Sequence, residues 1–264
     1  MRIGVCIKQV PDTEARLRVR ADGAWIEEED LPFVINESDE YALEAAIALA
    51  EKTSGEVVVF TAGPPRAAEA LRKALALGAA RAVHLSDAAF LRGDAISAGR
   101  ALAAAIGRED CGIVFTGSQS DDLGYGATGT VIAGTLGWPH AWLVMGFELE
   151  EGGAACRVVR EMESGRNELL RIQLPAVIEV QAGINHPRYA SLKGIMAAKK
   201  KPIVEVGPAD LGLDPQAVGA DGAIVELVSV RSPQSGGGAQ ILPGDPAAAA
   251  KALVDKLRNE ARVL

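Results

Sequence analysis

The residues best suited to chemistry lie in one glycine-rich stretch, GSQSDDLGYGATG, residues 117–129. It contains Gly124-x-Gly126-x-x-Gly129. Glycines let backbone N–H groups approach a phosphate, and a helix that follows offers the positive end of its dipole. Thr128 adds a hydroxyl donor, and Gln119, Asp122 and Ala127 share the loop. The spacing is formally that of a dinucleotide-binding turn. However, it lies more than a hundred residues into the chain and is separated from the preceding strand, whereas a Rossmann turn follows its strand directly. The stretch therefore reads as an anion or nucleotide loop in general. The alternative is an ordinary glycine-rich turn leading into a tightly packed helix.

Other candidates flank it at a distance in sequence. The first apolar strand runs into Cys6-Ile7-Lys8-Gln9, a second ends in Thr61-Ala62-Gly63-Pro64, and Asn36 precedes a helix. Loops at the carboxyl ends of parallel strands are where open α/β sheets bind ligands. Cys6, Lys8, Asn36 and Ala62 are thus expected to converge with the 117–129 loop. Taken singly, Lys8 reads as a solvated charge, Asn36 as a helix cap and Cys6 as a core residue. No catalytic constellation is evident. His84, His140 and His186 have no metal-ligand spacing, and Cys6, Cys111 and Cys156 form no C-x-x-C pair. Asp121-Asp122 suits magnesium, but acidic residues before a helix need only complement its dipole.

The elements that would position these residues alternate. Residues 2–7, 56–61, 82–85 and 113–116 read as strands. Residues 39–52, 66–77 and 95–106, and a small-residue stretch ending at 136, read as helices. Such alternation predicts an α/β fold with a doubly wound, mostly parallel, Rossmann-like sheet. Residues 141–150, 155–161 and 168–173 read as an added antiparallel meander, and 175–180 as a further apolar strand. SPQSGGG reads as a linker, and 245–259 as a short amphipathic helix with Pro246 in its first turn. The expected division is a nucleotide-binding domain over 1–205 and a C-terminal arm over 206–264.

The net charge of -8 argues against a protein that grips nucleic acid by bulk charge. No apolar run reaches the length of a membrane span. The start MRIGVCIKQV enters a strand directly, and wide cysteine spacing fits free thiols, so a cytoplasmic location is expected. The 185–201 segment, NHPRYASLKGIMAAKKK, reads as an irregular loop. It sets Arg188 and Tyr189 beside apolar Leu192, Ile195 and Met196, then three lysines. An apolar tip with basic flanks suits docking on an acidic partner.

That segment, Asn185-x-Pro187-Arg188-Tyr189-Ala190-x-Leu192-x-x-Ile195-Met196-x-Ala198-Lys199-Lys200-Lys201, resembles the signature of electron-transfer flavoprotein beta subunits. VCIKQVPD, TAGPPRAAEALRKALALGA and the loop before LGWPHA match the same family in order and spacing over residues 1–205. The resemblance implies an electron carrier rather than an enzyme, in a heterodimer with an alpha subunit that holds most of the FAD. It implies AMP in this chain, or a second FAD reduced by NADH in electron-bifurcating members. The implied pocket uses Cys6, Asn36, Ala62 and the loop from Asp122 to Gly129. Leu192 is the implied anchor for flavin dehydrogenases such as acyl-CoA dehydrogenases, and the implied acceptor is of the ETF-quinone oxidoreductase type. Two departures stand out. Ordinary members carry Asn-Gln-Thr-Gly where this chain has Gly126-Ala127-Thr128-Gly129. Bifurcating members often carry Asp-Thr-x-x-Thr where it has Asp94-Ala95-Ile96-Ser97-Ala98.

Overall fold

The computed structural model describes residues 1–233 and 238–264. The strands are β1 (Arg2–Cys6), β2 (Gln9–Pro11), β3 (Phe33–Ile35), β4 (Glu56–Ala62), β5 (Arg81–Leu85), β6 (Ile113–Gly117), β7 (His140–Leu149), β8 (Ala155–Met162), β9 (Arg166–Gln173), β10 (Ala176–Val180) and β11 (Ile203–Val206). The helices are α1 (Glu37–Thr53), α2 (Ala68–Leu77), α3 (Ala95–Ile106), α4 (Thr128–Leu136), α5 (Leu192–Ala198), α6 (Pro208–Leu211) and α7 (Pro246–Asn259).

Nine strands form one sheet in the order β11-β5-β4-β1-β6-β10-β7-β8-β9. From β11 to β7 every pairing is parallel, and β8 and β9 extend the sheet as an antiparallel meander. The central strands are apolar on both faces because both are covered. Ile3, Val5, Val57, Val59, Ile113 and Phe115 pack with α1 and α2. Val58, Phe60, Val83, Leu85 and Val114 pack with α3 and α4. The expected doubly wound fold is present. After β1 the chain builds β4 and then β5 on one side, and returns to place β6 on the other. The order therefore reverses between β1 and β6, the position where such sheets open a crevice.

The 185–201 segment is not wholly irregular. Leu192–Ala198 is helix α5, capped by Ser191, whose Oγ accepts from Gly194 N at 3.1 Å. Periodicity misses it because two turns with one buried residue leave no apolar stripe. Strand β11 and the small β2–β3 sheet are likewise too short to signal themselves. The lysine run is not wholly solvated either. Lys201 Nζ donates to Leu75 O at 2.9 Å and Ala79 O at 2.6 Å, capping the end of α2.

The chain divides into two compact units, Met1–Leu17 with Glu27–Val228, and Arg18–Ile26 with Ser229–Leu264. In the second, residues 19–26 form a tight hairpin closed by Arg20 N donating to Trp25 O, and Val230 N donates to Gly23 O. Helix α7 begins at Pro246, with Asp245 Oδ1 accepting from Ala248 N. The expected linker, SPQSGGG, includes residues 234–237, which lie outside the described residues.

Candidate functional site

The loops after β1 and β6 meet beside the start of α1, at the switch point. Asp39, in the first turn of α1, is the tie. Its Oδ2 accepts from Lys8 N at 2.8 Å and its Oδ1 from Gly117 N at 3.0 Å. Asp39 is buried, and burial pushes its carboxyl up to about 7 against the two N–H bonds that pull it down. Asn36 sits at the cap position of α1, yet its side chain makes no capping bond. Instead Nδ2 donates to Gln119 O at 2.9 Å and Oδ1 accepts from Asp121 N at 2.8 Å, while Ser38 Oγ also donates to Gln119 O. The expected role of Asn36 as a cap thus gives way to one that holds the glycine-rich loop. The loop backbone needs partners for its buried groups, and α1 offers them.

Lys8 is not a free solvated charge. Its Nζ pairs with Asp122 Oδ1 at 2.6 Å and reaches Ser120 Oγ at 3.4 Å. Burial works to raise the Asp122 carboxyl, but the Lys8 ammonium and the hydrogen bonds from Ser120 and Leu123 N together outweigh it and hold the group below the usual carboxylate range. Beyond Asp122, Gly124 (φ 62°) and Gly126 (φ 57°) take the left-handed backbone that glycine tolerates best. Ala127 then occupies the cap position of α4 and supplies no side-chain bond to the helix amides. Thr128 and Gly129 begin the helix, with Gly129 buried.

Cys6 ends β1 and Ala62 ends β4. Both pack on the α3–α4 face, level with the loop. Burial and the nearby Asp39 push the Cys6 thiol up, so it stays protonated and unreactive. Thr61 Oγ1 donates to Ile7 O at 2.8 Å, joining the ends of β1 and β4. His84 Nε2 lies 3.0 Å from Gly63 O just beyond. Cys6, Lys8, Asn36, Ala62, Gln119, Asp122, Gly124, Gly126, Ala127, Thr128 and Gly129 therefore all lie at the carboxyl edge of the sheet. Among the described residues no cluster of His, Cys, Asp and Glu is arranged to hold a metal ion.

The 185–201 segment lies elsewhere. Arg188 is engaged with its own chain, its guanidinium pairing with Glu44 at 2.8 Å and Glu51 at 2.6 Å on α1. Asn185 Nδ2 donates to Tyr41 O. So anchored, the segment leaves Tyr189 98%, Leu192 83% and Met196 64% exposed, with Ile195 partly so.

Sequence reasoning missed Asp39 as the tie, because an acid in a first turn already has a sufficient reason to be there. It also missed Glu179, buried in β10. The signal for Glu179 was a lone charge in the apolar run Ala176-Val177-Ile178-Glu179-Val180.

The fold defines a doubly wound α/β protein of the Rossmann-like class, with the loops after β1 and β6 gathered at the carboxyl edge of the sheet. The family model for the electron transfer flavoprotein domain matches residues 24–211. The chain is 41% identical over 238 residues to the electron transfer flavoprotein subunit beta of Methylophilus methylotrophus, covering 89% of this chain and 90% of that one. It is 36% identical to the caffeyl-CoA reductase-Etf complex subunit CarD of Acetobacterium woodii, covering 98% and 99%. It is 34% identical to the mitochondrial beta subunit of Arabidopsis thaliana over the full length of both. The chain belongs to the electron transfer flavoprotein family, among its beta subunits. This is a family of electron-transfer flavoproteins, and a beta subunit implies an alpha partner. Among the described residues no helix is long and apolar enough to cross a membrane.

Proposed function

We propose that this chain binds an adenine nucleotide at the β1–β6 crevice and works in the cytoplasm as half of an obligate heterodimer. There it passes electrons from a flavin dehydrogenase, such as an acyl-CoA dehydrogenase, to an ETF-quinone oxidoreductase-type acceptor. The observation that carries the reading is the convergence at one switch point of the ends of β1, β4 and β6 with an uncapped helix start. The residues present fit a nucleotide. Ala127 leaves the first amides of α4 without a side-chain cap, and a phosphate is a natural partner for such amides. Backbone amides of the 126–129 turn, with the Thr128 hydroxyl, would hold that phosphate. Cys6 and Ala62 would line the adenosine side. Asn36, Asp39 and Lys8 would keep the loop in place. FAD, held mainly by the alpha subunit, supplies the redox chemistry when bound.

Leu192, Tyr189, Ile195 and Met196 would form the surface that enters a pocket of the donor dehydrogenase, and Arg188 would hold that surface out by its grip on α1. Of the expected arm over 206–264, the part from Ser229 onward would lie on the alpha subunit, giving the apolar side chains of α7, Leu253 and Val254, a surface to cover, while Leu211 and Val218 pack in the core of the first unit.

A second reading has the similarity to the caffeyl-CoA reductase-Etf complex subunit in its favour. In it the nucleotide of this chain is a second FAD, reduced by NADH, and the heterodimer bifurcates electrons. Denaturing the purified heterodimer and identifying the released nucleotides separates the two. One FAD with one AMP supports the simple carrier, and two FAD support bifurcation. FAD alone, at one per heterodimer, overturns the nucleotide site in this chain.

A further inference from the structure

Glu179 has no part in the reading above, yet it is a charged side chain buried directly beneath the proposed phosphate turn. It lies near the end of β10 and is 1% exposed. A carboxylate in so apolar a strand is costly unless its partners repay desolvation. Its partners come from two other elements. Thr130 Oγ1, in the first turn of α4, donates to Glu179 Oε1 at 2.9 Å. His140 Nε2, at the start of β7, bonds to the same oxygen. The helix also rests directly on the side chain. A Cβ on Gly129 would fall 2.5 Å from both Cγ and Cδ of Glu179, and 2.7 Å from Thr116 Oγ1. Thr116 is paired with Glu179 across β6 and β10, and its hydroxyl is buried without a partner among the described residues.

We propose that Glu179 is a positioning residue for nucleotide binding: braced by His140 and bonded to Thr130, it sets the height and rotation of the first turn of α4 and so the aim of the amides that receive phosphate. The carboxylate also lies under the positive end of α4, where a negative charge stabilises the helix start. Because the Gly129 backbone touches Glu179 without an intervening side chain, a shortened residue at 179 leaves the turn free to settle. The proposal rests on the nucleotide reading given above.

The test uses the co-expressed heterodimer, with labelled AMP and labelled adenosine as separate probes. AMP contains the half that FAD shares, so it reports the phosphate contact under either occupant. Glu179→Ala and Thr130→Val are each expected to weaken AMP about tenfold, the effect of one misaligned hydrogen bond, while adenosine binding stays unchanged. Glu179→Gln keeps an oxygen to accept from Thr130 and is expected to bind AMP within about threefold of wild type. Thr130 is exposed on α4, so Thr130→Val decides the matter should Glu179→Ala fail to fold. AMP binding at the wild-type level in both variants overturns the proposal. So does an equal loss of AMP and adenosine, which marks a general structural role. If wild type binds neither probe, the nucleotide reading falls and this proposal with it. If wild type binds both and the variants are indifferent, this proposal falls alone.

Discussion

Asp39→Asn isolates the tie between the loops of β1 and β6. In wild type the buried carboxyl accepts from Lys8 N and Gly117 N and is pushed up to about 7, from 3.8 in the unfolded chain. Folding therefore takes up a proton at this site between those values. The sign follows. The contribution of Asp39 is fully present below about pH 4 and is lost as pH rises through about 7. At about 1.4 kcal/mol per pKa unit the whole span is about 4 kcal/mol, an upper figure because local relaxation reduces it. The asparagine variant cannot titrate. Its amide oxygen keeps one N–H bond and its NH2 opposes the other, a pH-independent loss of about 1–3 kcal/mol. Denaturant midpoints of the two heterodimers, measured between pH 4.5 and 8, are the assay. The gap favouring wild type is expected to narrow steadily as pH rises, by up to about 1.4 kcal/mol per pH unit below pH 7. Parallel curves would refute the reasoning, since they would mean that Asp39 ionises as an exposed carboxylate does.

Gly126→Val forces a β-branched residue into φ 57°, a cost of about 1–3 kcal/mol in the loop. Bound nucleotide should fall while the circular dichroism of the fold survives, and full nucleotide content would place the site elsewhere. Leu192→Ala removes a side chain that is 83% exposed and whose burial on a partner is worth about 1.5–3 kcal/mol. The second-order rate of flavin reduction by a partner dehydrogenase should drop about ten- to hundredfold with the melting temperature unchanged, and an unchanged rate would remove Leu192 from the docking surface. Arg188→Ala breaks both pairs to α1. Because the guanidinium is a third exposed in its side chain, a stability loss of only about 1 kcal/mol is expected. The same rate should still fall, because the segment loses its anchor; a wild-type rate would show that the anchor is dispensable.

Much of this was legible in the chain itself. Strand–helix alternation, with apolar residues at helical spacing in α1 and continuous apolar runs in β4 and β6, determined a covered parallel sheet, because each periodicity admits one way of burying its apolar face. The turn glycines marked the meander for the same local reason. The density of glycines before α4 pointed to the loop, and the run from Asn185 to Lys201 to a specialised surface. What the sequence left open depends on contacts between distant residues. Lys8, Asn36 and Asp39 lie about eighty or more positions from the loop that they hold, and no local pattern encodes those pairings. Lys8 and Asn36 each had an adequate bland reading, as a solvated charge and a cap, and an acid such as Asp39 in a first helical turn needs no partner beyond the dipole. The tertiary structure decided otherwise, because β6 inserts beside β1 and brings the unpaired backbone of the loop onto the first turn of α1. The same holds for Arg188 and Lys201, basic residues in a basic stretch whose charges turn inward only once α1 and α2 stand next to them. Burial, which raises the cost of an unpaired polar group, selects these partners, and burial exists only in the folded chain.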